Sequence, residues 1–103
     1  MDLDIRVEGD GEHRTVHLSG SGDLASVPAL REALQPLRPP EVTRLVLDVS
    51  ELTHLDSTSL GVVLGALRRL REGTGDLVIR GARGPVLSLI RVVGLDRVVH
   101  LEG

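Results

Sequence analysis

The chain is 103 residues long, carries a formal net charge of −3 at pH 7, and contains no Phe, Tyr, Trp or Cys. This composition excludes aromatic stacking platforms for single-stranded nucleic acid, disulfides, zinc thiolate sites and cysteine nucleophiles. All twelve basic residues are Arg, which removes lysine Schiff-base chemistry and the phosphate-loop lysine, and the acidic balance argues against direct nucleic-acid contact.

A chain of this length forms one domain, 1–103, that should bury about 65% of the surface its unfolded form exposes. Its apolar set of 19 Leu, 14 Val, 3 Ile, 5 Ala and 1 Met predicts an entirely aliphatic core. No apolar run reaches the ~18 residues of a membrane span, and the start MDLDIRVEGD lacks the basic and apolar regions of a signal peptide. A cytoplasmic location is the expectation.

Along the chain, 3–8 (LDIRVE) alternates apolar and polar, Gly9 to Gly11 supplies a turn, and 14–19 (RTVHLS) alternates again, which predicts a hairpin. The stretch GSGD, 20–23, reads as a turn. It suggests a phosphate loop but lacks the later Gly and the Lys. Leu24, Val27, Leu30, Ala33, Leu34 and Leu37 then follow helical spacing, with Ser26-Val27-Pro28 as an alternative helix start and Arg38 to Glu41 (RPPE) closing it.

Residues 44–49 (RLVLDV) read as a central strand buried on both faces. From about Ser57 to Arg71, Leu60, Val63, Leu64, Leu67 and Leu70 recur at spacings of three and four, one face of a helix that Gly73 and Gly75 end. Another short strand follows at 76–81, then a helix opened by Pro85 and capped by Gly94, then a last strand through Val98, Val99 and Leu101. The predicted class is α/β: a mixed sheet, N-terminal hairpin then parallel strands, packed with about three helices through right-handed crossovers.

In such sheets, partners meet the chain at the carboxyl ends of parallel strands, and the run Asp56-Ser57-Thr58-Ser59 falls at one. Three readings stand. Asp56 or Ser57 caps the helix, and the other hydroxyls are solvated. Alternatively, one hydroxyl carries a phosphoryl group, whose charge of about −1.5 to −2 a helix N-terminus tolerates while a docked partner does not. Or Ser57 is a hydrolytic nucleophile served by His54 or Asp56, which would need a base aimed at its hydroxyl.

The segment HLDSTSLGVVLGALRRL resembles the signature of bacterial anti-sigma-factor antagonists, founding members of the STAS domain family: D-S-[ST]-G-L-G before an aliphatic helix. RLVLDVSELTHLDSTSLG is similar to the family's strand, acidic turn and switch loop, LSGSGDLASVPAL to its L-x-G-E-L-D-x-x-T-A segment, and LIRVVGLDRVVHL to its last helix and strand. The resemblance covers about residues 3 to 101 and implies a single STAS-like domain.

It implies that Ser57 is phosphorylated by an anti-sigma factor that is also a serine kinase, with Thr58 as second choice. Only the unphosphorylated antagonist would bind that kinase and free the sigma factor, and a phosphatase would reset it. The partner surface would comprise Asp23, Asp56, Ser57, Thr58, Ser59, Leu60 and Gly61, with no catalysis, cofactor or metal. The alternative within the family is a non-catalytic subunit of a lipid-transport ABC system or of a stress-sensing scaffold.

Three features depart from the family pattern. Ser59 stands where Gly is usual, adding a side chain where a kinase approaches. Ser21 and Gly22 replace a Glu and a Leu. The chain stops at Gly103, where relatives commonly continue into a terminal helix. A branched side chain at Gly61 is expected to crowd its surroundings. Arg68, Arg69 and Arg71 form a basic cluster near a helix C-terminus, read as a solvated face, with a partner or acidic-lipid contact as the alternative. His13, His17, His54 and His100 lack the pairing of a metal site, and His17 belongs on the outer face of the hairpin.

Overall fold

The computed structural model describes residues 2–103. Five strands, β1 (Leu3–Glu8), β2 (His13–Gly22), β3 (Arg44–Leu55), β4 (Asp76–Arg80) and β5 (His100–Glu102), form one sheet in chain order. β1 and β2 pair antiparallel and every later pair is parallel. The connecting helices are α1 (Val27–Leu34), α2 (Ser57–Glu72) and α3 (Gly84–Val92). The parallel strands succeed one another in a single direction, so right-handed crossovers place all three helices on one face.

Alternation decides what that face receives. Leu45, Leu47 and Val49 of β3, Val16 and Leu18 of β2, and Leu77 and Ile79 of β4 are buried in one core with residues of all three helices, among them Leu30, Leu34, Leu60, Val63, Leu67, Leu70, Val86 and Ile90. Leu47 lies level with Val16 on one side and Ile79 on the other. No helix of the described residues is long and apolar enough to cross a membrane.

The opposite face is polar. One cross-strand row reads Arg6, His17, Asp48, Arg80, Glu102 across all five strands, and His17 contacts both Glu8 and, at 3.5 Å, Asp48. His17 thus sits on the face away from the core, as the alternation at 14–19 predicts. Burial alone would raise the Asp48 carboxyl. The amide and hydroxyl of Ser50, donating at 2.9 and 2.7 Å, and the Arg80 guanidinium at 3.1 Å outweigh that and hold it down at about 2.

A depressed carboxyl stabilises the fold above its unfolded value, 3.8, and that stabilisation is lost as pH falls through about 2. Asp48→Asn is therefore expected to cost about 1–2 kcal/mol at neutral pH. The gap from wild type should close as pH falls from 3.8 towards about 2, read by urea unfolding at stepped pH.

The structure corrects four expectations. GSGD is not a turn: Gly20 to Gly22 continue β2, paired with Leu52 to Leu55. Glycine is required by close approach at Gly20, where a Cβ would run into the backbone carbonyl of Asp2, while a Cβ on Gly22 would press on the end of the Leu55 side chain at 3.0 Å. β3 runs to Leu55, not Val49, because two one-residue register shifts against β2 let it continue. α1 takes the alternative start, with Ser26 before Val27 and Pro28 in the first turn, and runs only to Leu34; Leu24 belongs to a preceding 3-10 turn at Leu24–Ser26 and is 69% exposed. Pro36, which lacks an amide hydrogen, blocks extension to Leu37. The last strand begins at His100, because Val98 caps a 3-10 turn and stays exposed.

Candidate functional site

Asp23 and Asp56 follow directly on β2 and β3, whose last residues, Gly22 and Leu55, are register partners. Two helix entrances are therefore side by side at the carboxyl edge of the sheet. Each aspartate is an N-cap. Asp23 accepts from the amide of Ala25 at 3.1 Å, while its own amide donates to the Ser26 hydroxyl at 3.0 Å, a capping box. Asp56 Oδ1 accepts from the amide of Ser59 at 2.8 Å and opens α2. That amide lowers the Asp56 carboxyl against the opposing effect of burial, helped by the Ser59 hydroxyl, the nearby His54 and the Thr58 amide.

The two entrances are tied together. The Asp56 amide donates to the Gly22 carbonyl at 2.9 Å, and the Ser59 hydroxyl donates to the Asp23 carbonyl at 3.4 Å. Ser59 is wholly buried, and its Cβ would lie 3.7 Å from a Cβ at Gly22. Here Ser59 and Gly22 act together: the serine hydroxyl fills and ties a space that glycine leaves open.

The structure therefore divides the expected contact set. Ser57, Thr58 and Gly61 are exposed, and Asp23 and Asp56 are partly so. Ser59 and Leu60 are covered, at 0% and 2% exposure, so neither side chain can touch a partner docked on this surface. Both leave the contact set and become its support: Leu60 anchors α2 in the core. The sequence reading also missed Leu24, whose apolar side chain projects beside Asp23 because the 3-10 turn, not α1, carries it. The capping pattern Asp23 to Ser26 was the available signal.

Ser57 is the first residue of α2. Among the described residues its hydroxyl makes no hydrogen bond. Asp56 is occupied by the Ser59 amide, and among the described residues neither it nor His54 is hydrogen-bonded to the Ser57 hydroxyl, so no base is aimed at Ser57 as a hydrolytic nucleophile needs. Among the described residues no group of three or more His, Cys, Asp or Glu could hold a metal ion. The site is a protruding edge flanked by a shallow groove of about 210 Å³ between α1 and α2, lined by Arg31, Thr58, Gly61, Gly65 and Arg69 among others.

A Cβ at Gly61 would meet nothing within 4 Å, so an alanine fits there without displacing a neighbour. Gly61→Ala should raise stability by about 0.5–1 kcal/mol, through helix propensity and a less mobile unfolded chain. The midpoint of urea unfolding reads it.

Comparison with known proteins agrees with this geometry. The family model described as Mlab, STAS domain, matches residues 5–101. The chain is 30% identical to the anti-sigma-B factor antagonist of Listeria monocytogenes over 99% of this chain and 90% of that protein. The crystal structure of an anti-sigma factor antagonist from Mycobacterium paratuberculosis superposes with a TM-score of 0.85 at 28% identity, covering 98% of this chain and 86% of the other. The Bacillus cell fate determinant SpoIIAA in its phosphorylated form shares the fold, with a TM-score of 0.76 at 21% identity over 95% of this chain and 90% of that one. The chain belongs to the STAS domain family, and within it is similar to the anti-sigma-factor antagonists.

Proposed function

We propose that this chain is a cytoplasmic anti-sigma-factor antagonist that binds an anti-sigma factor kinase and is switched off by phosphorylation of Ser57. The observation that carries the reading is the placement of that hydroxyl: exposed, without a hydrogen-bond partner among the described residues, and at the first turn of a helix whose other face is fixed in the core. The relatives named as anti-sigma factor antagonists support the partner class.

In the transfer, the Ser57 oxygen bonds to the γ-phosphorus of ATP, the bond from that phosphorus to the β,γ-bridging oxygen breaks, and ADP leaves. The serine proton passes to a base of the kinase. The chain contributes position only. The positive end of the α2 dipole accommodates the new anion, so the fold persists while a partner seated on Asp23, Leu24, Asp56, Ser57, Thr58 and Gly61 meets a dianion. A phosphatase resets the chain by hydrolysis: a water oxygen bonds to the phosphorus, the bond from that phosphorus to the Ser57 oxygen breaks, and inorganic phosphate leaves.

The test is incubation with the anti-sigma factor kinase and ATP, followed by mass-spectrometric mapping. Label on Ser57 that Ser57→Ala abolishes supports the reading, and Thr58 is the alternative acceptor. Label elsewhere, or none from a kinase that binds the chain, overturns it.

A further inference from the structure

Arg69 is partly buried on α2, and its Nε, shielded from solvent, has no hydrogen-bond partner among the described residues. The guanidinium turns back over Gly65, where a Cβ would stand 3.5 Å from Nη1. It lines the groove between α1 and α2 together with Arg31, and among the described residues neither guanidinium is ion-paired. Elsewhere the chain pairs its arginines internally: Arg6, Arg44, Arg71 and Arg80 each meet a carboxylate, and Arg83 donates to the Ser50 carbonyl. A shielded, unpaired donor on a charged group costs stability, and no contact among the described residues offsets that cost at Arg69.

We propose that this groove receives an acidic side chain, Asp or Glu, of the anti-sigma factor that docks over Ser57, an inference that rests on the partner class proposed above. No acidic residue lines the groove. Arg31 and Arg69 supply planar N–H forks that match a carboxylate, and the Gln35 amide and Thr58 hydroxyl add neutral donors. Gly61 and Gly65, one turn apart on α2, lower the helix surface, so a carboxylate can descend between the two cations. A small rotation of Arg69 then brings Nε into use, and the cost carried by the free chain is exchanged for charge-assisted hydrogen bonds across the interface.

The groove is continuous with the docking edge. Thr58 belongs to both, and from Thr58 to Arg69 α2 rises about 16 Å, so a partner seated over Ser57 reaches Arg69 along three turns of one helix. A bilayer fits the groove less well. Its only branched aliphatic lining residue, Val62, is 7% exposed, so no apolar side chain there is free to enter a membrane.

The test is titration calorimetry of the anti-sigma factor kinase into the wild-type chain, Arg69→Gln, Arg31→Gln, their double variant and Arg68→Gln. Arg69→Gln and Arg31→Gln should each weaken binding about tenfold or more. The double variant should lose less than the product of the two, since both cations hold one carboxylate. Arg68 is exposed and outside the groove, so Arg68→Gln makes the same change in net charge and should bind within about twofold of wild type. The urea-unfolding midpoint of Arg69→Gln should equal or exceed that of wild type, whereas a residue that supports the fold would lower it.

A kinase that binds the wild-type chain and labels Ser57, yet binds the Arg31 and Arg69 variants as tightly, overturns this proposal and leaves the Ser57 reading standing. A kinase that does not bind the wild-type chain overturns both. An Arg68→Gln loss as large as that of Arg69→Gln, a double loss equal to the full product, or a lowered midpoint for Arg69→Gln would each overturn it as well. So would Arg69-dependent flotation with phosphatidylglycerol vesicles alongside unchanged kinase binding, which would assign the groove to a lipid headgroup.

Discussion

Ser57→Asp is expected to weaken association with the proposed partner, an anti-sigma factor kinase, by about 100-fold or more, because a like-charge or unpaired charge forced into an interface costs several kcal/mol. The same change should leave the melting temperature nearly where it was. A carboxylate at the first turn of α2 meets the positive end of the helix dipole, worth about 0.3–1 kcal/mol, offset by the neighbouring Asp56. Ser57→Asn, close in size and uncharged, separates charge from bulk. Titration calorimetry on the three proteins, with thermal melts of each, decides the matter. Equal losses for Asn and Asp would mean that shape rather than charge governs, and full binding by the Asp variant would end the switch mechanism.

Leu47→Ala should be the most damaging single truncation discussed here, at about 3 kcal/mol within the 2–5 kcal/mol typical of buried leucines. Leu47 sits on the central strand β3 between Val16 and Ile79, all buried, beneath helices that contribute only aliphatic side chains to the core. Short branched neighbours cannot extend into the vacated volume. For a chain of this length the melting temperature should fall by about 15 °C, taking ~5 °C per kcal/mol. Leu47→Met, which keeps the volume, should cost less than about 1.5 kcal/mol. Leu24→Ala serves as the exposed control and should be almost silent. Denaturant unfolding of the three variants reads the series, and a Leu47→Ala cost below that of Leu47→Met would contradict the packing argument.

Much of the architecture was legible because it was written in uninterrupted periods. The hairpin of β1 and β2 and the helices α2 and α3 follow from alternation, three-and-four spacing, Pro85 and Gly94. The misreadings share a cause: places where packing breaks the period. In β3 the register shifts space the buried residues Val49, Leu52 and Leu55 by three, so the second half of a strand no longer alternates. In β2, Gly20 is dictated by neighbouring backbone that approaches too closely for a Cβ, and a glycine demanded by contact looks in sequence like one demanded by a turn.

The site was partly legible for the same reason. Ser57 and Asp56 stand where a strand ends and a helix begins, a junction that residue types alone mark. Which of four consecutive polar residues faces outward depends on rotation about α2, and that turned Ser59 inward to meet Asp23 across 36 positions of sequence. Its burial has no local signature, whereas the capping pattern from Asp23 to Ser26 marks the turn that carries Leu24.

The bond from the Asp56 amide to the Gly22 carbonyl has a thermodynamic corollary. A hydroxyl-bearing edge held to the ends of two strands enters an encounter already ordered. Few backbone torsions would be frozen when a partner arrives, and little of the association free energy would be consumed in organising this side of the complex. The heat-capacity change on binding should then follow the apolar area covered, without the larger excess that accompanies a segment folding as it binds.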